Sequence, residues 1–272
     1  MTVYVIGEAG SCGDKDIVKM LQQVDSAAES GVDAVKFQWC SDGQELAERR
    51  GSLTDGYGDI YANYLQWPDT WHPILADRCR ERNVEYLCST YLSQDVEVVA
   101  PFVDHFKIAS FEASDREFID AHKPYTKDDH KFLIISTGMS SSADLDAVRK
   151  ACSWLPHGGL VLLHCTSAYP APITSMNLEV IREEHLDGYS DHTEPAFTQT
   201  GALAAAAGAE FIEAHFRLPT TDRDNPDVSH AMVPTQLSEY VKWIRVAEQA
   251  LGASAKTPQV EEQPMLKYKR VI

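Results

Sequence analysis

Short apolar runs alternate along the chain with longer stretches of mixed apolar and polar residues. The short runs are rich in valine, isoleucine, phenylalanine and tyrosine, a composition typical of strands. They predict strands at residues 3–7, 33–39, 84–89, 105–110, 132–137, 160–165, 187–191 and 210–216. Because helical stretches follow most of these runs, we predict an α/β fold, a single-domain (β/α)8 TIM barrel. A doubly wound parallel sheet is the main alternative.

The longer stretches carry helix start and stop signals. The stretch "DKDIVKMLQQVDSAAESG" predicts a helix that is capped by an aspartate and ends at Gly31. The stretch "SADLDAVRKACSWL" follows a serine cluster, and "PTQLSEYVKWIRVAEQALG" predicts a closing amphipathic helix that ends at Gly252.

Two segments depart from the alternation. Residues 41–71 form a long insert that is rich in glycine and aspartate and partly aromatic. Such loops on a barrel are functional or mobile, so we expect either a lid or part of an interface. The tail is polar and contains two prolines. We therefore assign residues 1–252 to the barrel and residues 253–272 to a C-terminal extension or linker remnant.

The charge balance limits the partners. Among 272 residues, 24 lysines and arginines stand against 41 aspartates and glutamates, which gives a formal net charge of −17. An acidic surface repels nucleic acid and anionic membranes, so we expect neither as a partner. If the substrate is an anion, the site must supply cations locally.

The cysteines and the amino terminus favour a cytoplasmic setting. The six cysteines are scattered and form no C-x-x-C pair, which favours reduced thiols. Cys88 and Cys165 lie in apolar runs and are expected to pack rather than to react. The start "MTVYVIGEAG" is unlike a signal peptide, and no apolar run approaches the roughly 18 residues of a membrane span.

Polar residues collect where the predicted strands end. In a (β/α)8 barrel these ends share one face, and the chemistry lies there. The strand ends supply Glu8, Lys36, Gln38, Ser89, Thr90, Lys107, Ser110, Glu112, Ser136, Thr137, His164, Ser190, Asp191, His192, Glu213 and His215. Each has an ordinary structural explanation alone, but together they predict a ring around one cavity.

Lys36 and Lys107 lie inside apolar strand patterns, where an unpaired ammonium group is costly to bury. Each lysine could simply pair with a carboxylate or extend to solvent. We favour anion binding, because hydroxyl-bearing residues accompany both lysines. Ammonium and hydroxyl groups together neutralise and hydrogen-bond a phosphate or carboxylate.

His192 and His215 stand at the ends of neighbouring predicted strands. Either one alone would be a hydrogen-bonded core histidine, but the pair favours a metal such as Mn, Fe, Co or Zn. Two histidines leave open positions for a substrate oxygen. Glu8 or Asp191 would complete the shell or orient a histidine. Glu112 and Asp227 are candidates for acid–base work or hydroxyl binding, against the alternative of solvated loop carboxylates.

These strand-end motifs resemble the N-acetylneuraminate (sialic acid) synthase family. The blocks "VKFQ", "KIAS-x-E", "STGM", "LLHCTSAYP", "NL" (Asn177-Leu178), "GYSDHT" and "EAHF…PD" stand in the family's order and span most of residues 3 to 252. The resemblance implies a (β/α)8 barrel that condenses phosphoenolpyruvate with the open-chain aldehyde of an N-acetylhexosamine. It also implies a divalent metal, Mn²⁺ first, with Mg²⁺ or Co²⁺ as alternatives.

The resemblance also implies roles for residues. It makes His192 and His215 the metal ligands. It makes Glu8, Tyr169 and Asp227 groups that handle the sugar or the protons, with Glu112 nearby. The implied phosphoenolpyruvate ligands are Lys36, Thr90, Lys107, Ser110, Ser136, Asn177 and Ser190, and Gln38 of the "VKFQ" block joins the substrate-binding set.

Two departures from the family pattern stand out. Ser11 and Cys12 occupy the place of an Asn-His pair, and the family's C-terminal antifreeze-like domain has no counterpart before Ile272. In the family's dimer that domain gives an arginine to the partner's sugar site. We therefore expect catalytic-barrel features only, with either a homo-oligomer or a partner that supplies the missing domain.

Two other functions remain open. A synthase of the 3-deoxy-octulosonate-8-phosphate type would use another aldose, and Arg217, Arg223 or the pair Arg49-Arg50 would bind its second phosphate. A barrel that binds sugar or phosphoenolpyruvate without turnover is the third possibility. The altered loop favours it, whereas the full set of lysine, histidine and glutamate candidates argues against it.

Overall fold

Eight parallel strands close into a barrel in the order in which they occur along the chain, β1 to β8. The structure is a computed structural model that describes residues 2–51, 57–126 and 131–270. The closed strand order confirms the predicted (β/α)8 barrel and excludes the doubly wound sheet. The strands are β1 Tyr4–Gly10, β2 Ala34–Gln38, β3 Glu85–Ser89, β4 His105–Ile108, β5 Leu133–Ser136, β6 Leu160–Cys165, β7 Gly188–Asp191 and β8 Phe211–His215.

Helices follow the strands, with short extra turns in several of the loops. The helices are α1 Ile17–Ser30, α2 Gly43–Arg49, α3 Tyr57–Ile60, α4 Trp71–Glu81, α5 Ser93–Val99, α6 Arg116–Ala121, α7 Lys123–Thr126, α8 Ser142–Ala151, α9 Val180–Glu183, α10 Thr200–Ala207 and α11 Pro234–Leu251. A π-helical turn covers Tyr61–Leu65, and 3₁₀ turns cover Ser110–Glu112, Ile173–Ser175, Pro226–Ser229 and Val260–Tyr268.

The predicted helix ends have identifiable caps. The carboxylate of Asp16 accepts from the backbone N–H of Val18 and Lys19, and Gly31 ends α1 in the left-handed region at φ 85°. Ser141 and Asp144 form a capping box at the start of α8. Caps of this kind are each worth about 1 kcal/mol, so the local sequence fixes where these helices begin.

Strand alternation sorts the barrel interior into layers, because every second residue points inward. The middle layer is apolar and consists of Ile6, Ala34, Leu87, Ile134, Val161 and Leu163. One step nearer the carboxyl ends, the inward positions become polar. The larger apolar core lies outside the sheet, where the strands pack against the helices.

The insert of residues 41–71 is largely helical where it is described. It contains α2, α3 and the π-helical turn, and Leu46, Tyr61 and Leu65 pack with Tyr91 and Leu92 in a small core of their own. The insert is therefore fixed to the carboxyl end of the barrel, beside the predicted site. Residues 52–56 of the insert lie outside the described residues.

The tail is exposed from residue 253 to residue 270 and forms the 3₁₀ turn Val260–Tyr268. Its assignment as an extension remains a prediction. In the described part of the chain, no helix combines the length and the apolar character needed to cross a bilayer.

Candidate active site

The polar layer above the apolar core is centred on Lys36. Its ammonium group pairs with Glu8 on one side and lies 3.3 Å from Oε2 of Glu213 on the other, and it donates to Ser89 Oγ at 3.0 Å. All four side chains are almost fully buried. Sheet register accounts for the Glu8–Lys36 pair, because Glu8 lies opposite Lys36 on one neighbouring strand and opposite His215 on the other.

Lys107 completes this layer. Its Nζ donates to Ser136 Oγ at 2.8 Å and to the Ile108 carbonyl at 3.2 Å, and it lies 3.8 Å from Oε1 of Glu213. Both lysines thus pair with carboxylates, as the alternative to anion binding predicts. Anion binding remains a prediction, supported by the two cations and their hydroxyl neighbours in one layer.

The charges of this layer perturb one another. Burial lowers the pKa of Lys36, but Glu213 and Glu8 outweigh burial and raise it above its ordinary value. For Lys107 burial prevails and lowers the pKa. Burial would raise the pKa of Glu213, but Lys107 and Lys36 hold it at about 2. Burial raises the pKa of Glu8 to about 7, opposed by Lys36. Within this layer, Glu8 is therefore the carboxyl group whose pKa lies near neutrality.

Hydroxyl groups line the same layer. Ser190 Oγ donates to Glu213 Oε1 at 2.8 Å, and Thr90 is buried close to the end of β3. Ser110 Oγ contacts Cys165 Sγ at 3.2 Å and accepts from the backbone N–H of Gly138 at 3.1 Å. The structure therefore brings most of the predicted hydroxyl ligands to the carboxyl end of the barrel. Glu213, which holds both lysines, was not among the assigned site residues.

The two predicted metal ligands lie together beside this layer. The ring centroids of His192 and His215 are 5.5 Å apart, and the ring planes meet at 61°. Nδ1 of His192 donates to the Thr166 carbonyl at 2.9 Å, which leaves Nε2 with its lone pair facing Ser190 at 3.4 Å. Burial lowers the pKa of each imidazole to about 4, so both are neutral at physiological pH. Neutral imidazoles are the form that binds metal.

The prediction that Asp191 completes the metal shell is wrong. Its Oδ2 accepts from Tyr240 Oη at 2.9 Å and from Thr200 Oγ1, and its Oδ1 accepts from the backbone N–H of Thr193. These partners lie on the helical side of the sheet. Strand alternation accounts for this, because Ser190 and His192 point inward and the residue between them points outward.

Asp227 is held against the cavity by the altered loop after β1. Its Oδ2 accepts from the backbone N–H of Ser11 at 2.9 Å and from Ser11 Oγ at 2.7 Å. Gly10 has φ of 54°, and a β-carbon there would lie 2.5 Å from the same oxygen. The family departure at Ser11 is thus part of the support for Asp227, which is not a solvated loop carboxylate.

His230 was missed by the sequence reasoning. Its ring is buried 4.5 Å from the ring of His215, and its Nε2 lies 3.8 Å from Asp227 Oδ1. Tyr169 covers this group, with its ring 4.5 Å from His192 and 4.9 Å from His230. The predicted site therefore carries a third imidazole beside the expected pair.

Glu112 binds the insert. Arg50 donates to Glu112 Oε1 through Nε at 2.9 Å and through Nη2 at 2.5 Å, and its guanidinium also stacks near Tyr61, Tyr91 and Phe111. Burial raises the pKa of Glu112, while Arg50 opposes the rise. Arg50, a candidate for a second phosphate site, is therefore engaged with Glu112.

Two predicted substrate ligands lie at the edge of the layer. Gln38 donates to Glu8 Oε1 at 3.0 Å and so orients that carboxyl group. Asn177 is exposed and lines a cleft of about 360 Å³ with Thr137, Ser141 and His164. Cys165 borders both this cleft and Ser110, so the two regions are adjacent.

Buried lysines, hydroxyls and imidazoles at the carboxyl ends of the strands are the arrangement of a (β/α)8-barrel enzyme. The chain matches the NeuB family over residues 23–256. It is 33% identical to the N,N'-diacetyllegionaminic acid synthase of Legionella pneumophila, over 97% of this chain and 78% of that protein. It is 28% identical to a pseudaminic acid synthase of Campylobacter jejuni, over 92% of this chain and 75% of that protein.

A solved structure gives the same result. The N-acetylneuraminic acid synthetase of Leptospira borgpetersenii, in complex with citrate, aligns with a TM-score of 0.84 and 25% identity, covering 98% of this chain and 91% of that one. The chain belongs to the NeuB family, as the motif blocks predicted. It is a phosphoenolpyruvate-dependent, C–C bond-forming transferase of the sialic acid synthase type.

Proposed function

We propose that this chain condenses phosphoenolpyruvate with the open-chain aldehyde of an N-acetylhexosamine of the N-acetylmannosamine kind, and that it releases a nonulosonic acid and phosphate. The observation that carries the proposal is the placement of Lys36 and Lys107 in one buried layer with Ser89, Ser136 and Ser190. Two ammonium groups and several hydroxyls suit the phosphate and carboxylate of one small trianion.

The lysines neutralise phosphoenolpyruvate as its charge redistributes. C3 of phosphoenolpyruvate attacks the aldehyde carbon, and positive charge develops at C2, where water adds. The tetrahedral adduct then loses phosphate by cleavage of its C–O bond. Lys36 and Lys107 stabilise the anionic groups throughout, and close placement of the two substrates supplies much of the remaining rate.

Glu8 serves as the proton donor to the aldehyde oxygen, which becomes a hydroxyl group as C3 of phosphoenolpyruvate attacks the aldehyde carbon. Its carboxyl group adjoins Lys36 and is oriented by Gln38. Burial raises the pKa of Glu8 to about 7, so a large share of it is protonated at neutral pH. Protonation also removes one negative charge from the layer, which frees Lys36 to meet an incoming anion.

His192 and His215 would hold a divalent metal ion during the reaction, with Mn²⁺ as the favoured ion. The fit rests on His192, whose Nδ1–H is committed to Thr166 and whose Nε2 lone pair is directed at the cavity side of β7. When bound, such an ion supplies Lewis acidity toward a substrate oxygen.

We also propose a cytoplasmic setting, supported by six buried cysteines that are all unpaired.

A panel of aldoses tests the substrate. The protein is incubated with phosphoenolpyruvate, Mn²⁺ and either N-acetylhexosamines or pentose phosphates, and both released phosphate and the 2-keto-3-deoxy acid are measured. Turnover with an N-acetylhexosamine is expected. Turnover with arabinose 5-phosphate alone would favour the other aldose class, and absence of turnover despite phosphoenolpyruvate binding would favour a binding protein.

A further inference from the structure

Three potential metal donors surround one point on the Asp227 side of His215. One donor atom from each of His215, Asp227 and His230 lies within 4.8 Å of the other two, and this is the one such trio found across residues 2–51, 57–126 and 131–270. Nδ1 of His215 is 3.8 Å from Oδ2 of Asp227, and Nε2 of His230 is 3.8 Å from Oδ1 of the same carboxylate. His192 is not a member of this trio.

Two of the donors are buried without a partner. Nδ1 of His215 and Nε2 of His230 are enclosed and make no hydrogen bond, although both side chains are more than nine-tenths buried. Most buried polar atoms are paired, so two unpartnered nitrogens that face one carboxylate are candidate donors to a cation.

The spacing suits a small divalent ion. A metal–nitrogen or metal–oxygen bond is about 2.1 Å, so two donors on one ion lie roughly 3.0 Å apart at a right angle and about 4.2 Å apart when opposite. The two separations of 3.8 Å, one to each carboxylate oxygen of Asp227, fall inside this range. Two imidazoles and a carboxylate are also the donor set that Mn, Fe, Co and Zn accept.

We propose that His215, Asp227 and His230 form a cation position of their own, in which a divalent metal ion rests before the substrates bind. It would lie apart from the His192–His215 pair assigned to the reaction. The inference rests on the proposed function in one respect, which is that the reaction requires a divalent metal ion. Its test uses metal alone, so its failure and the failure of the synthase activity are separate results.

The two positions exclude each other because they share His215. A neutral imidazole has one lone pair, on Nδ1 or on Nε2, and carries its proton on the other nitrogen. Nδ1 of His215 faces Asp227, so Nε2 points away from that carboxylate. Three donors with one negative charge should hold the metal better than two neutral imidazoles alone. An anionic substrate that adds its own oxygen ligands would shift the metal ion to the position between His192 and His215.

Calorimetric titration with Mn²⁺ alone tests the assignment, together with the electron paramagnetic resonance signal of bound Mn²⁺. The variants are His230→Ala, His230→Gln, Asp227→Asn and His192→Ala. His185→Ala, which removes an exposed imidazole outside the site, is the matched control. Thermal melting in the presence of a chelator checks that each variant folds, and His230→Gln replaces His230→Ala if that variant does not.

The proposal predicts one ion per chain, with affinity at least about tenfold weaker in His230→Ala and Asp227→Asn. His192→Ala and His185→Ala should change it less than about threefold. The reverse pattern, with affinity lost in His192→Ala and kept in His230→Ala, would place the resting ion on the other pair and overturn the proposal. Equal losses in His192→Ala and His230→Ala, unchanged affinity in all variants, or absence of Mn²⁺ binding would overturn it as well.

Discussion

The Lys36 ammonium group lies 3.3 Å from a carboxylate oxygen of Glu213, and both side chains are almost completely buried. Glu213 also faces Lys107 at 3.8 Å. A buried carboxylate between two ammonium groups keeps the cations of an anion site in place while the site is empty. The same carboxylate competes with the anion that the site is proposed to bind.

Replacing Glu213 with glutamine should destabilise the fold. The change leaves two buried lysines with less compensating charge, and breaking a buried pair in this way costs about 3–5 kcal/mol. Urea unfolding measures the loss, and Glu210→Gln, an exposed site just before β8, is the control. Added phosphoenolpyruvate should restore part of the stability. A loss below about 1 kcal/mol would show that Glu213 does not compensate the lysines.

Replacing Lys107 with methionine should weaken phosphoenolpyruvate binding. Loss of one charge-assisted contact in a buried site costs at least about 2 kcal/mol, which corresponds to a roughly 30-fold higher Kd. Isothermal titration calorimetry measures Kd, with the exposed Lys256→Met as control. Equal affinity in both variants would remove Lys107 from the anion site.

Glu8 should determine the alkaline limb of the activity profile. Burial raises its pKa to about 7, and the protonated form is the proposed donor, so kcat/KM should fall tenfold per pH unit above about 7. Glu8→Gln should lose about 10²–10⁴ in rate and should also lose this ionisation. A Glu8→Gln enzyme that keeps the same alkaline limb would show that another group titrates there.

Arg50 and Glu112 should act as one unit. In a double-mutant cycle with Arg50→Met and Glu112→Gln, the coupling in unfolding free energy should be about 0.5–3 kcal/mol. Because the pair fixes the insert at the rim of the cavity, Arg50→Met should raise KM for the aldose and leave Kd for phosphoenolpyruvate nearly unchanged. The adjacent, exposed Arg49→Met is the control. Additive effects in the cycle would contradict this role.

Stability should fall in mild acid because of buried neutral histidines outside the site. Burial lowers the pKa of His122 from 6.5 to about 4. Between these values the unfolded chain binds a proton that the native state does not. His122 therefore contributes stability above pH 6.5 that is lost as pH falls toward 4, at about 1.4 kcal/mol per pH unit. The slope of unfolding free energy against pH should be smaller by this amount in His122→Leu. An unchanged slope would mean that His122 titrates normally.

Much of the fold followed from the sequence because local signals agreed. All eight predicted strands coincide with observed ones within a few residues, and the cap at Asp16 and the stop at Gly31 mark α1. The insert was harder, because its small core forms between residues distant in sequence, such as Leu46 and Tyr91. Glycine and aspartate content indicated a loop, and tertiary packing produced helices instead.

The candidate site was likewise predictable where strand periodicity applies and unpredictable where tertiary packing sets the position. Strand alternation places Lys36 and Gln38 inward together. The same rule applied from His215 would have found Glu213, and applied from His192 it would have excluded Asp191. His230 gave no comparable signal, since it follows a 3₁₀ turn in a loop without periodicity. Its position depends on the docking of Asn225 and Asp227 against Ser11, more than 200 residues away along the chain.

The isotopic fate of the bridging oxygen of phosphoenolpyruvate is the most direct test of the proposed reaction. The protein is incubated with Mn²⁺, an N-acetylhexosamine and phosphoenolpyruvate labelled with ¹⁸O at the C2–O–P bridge, and the products are examined by mass spectrometry. A nonulosonic acid without label and phosphate that carries the ¹⁸O are expected, because the C2–O bond breaks. Label retained in the acid, or phosphate released without a condensed product, would contradict the proposed reaction.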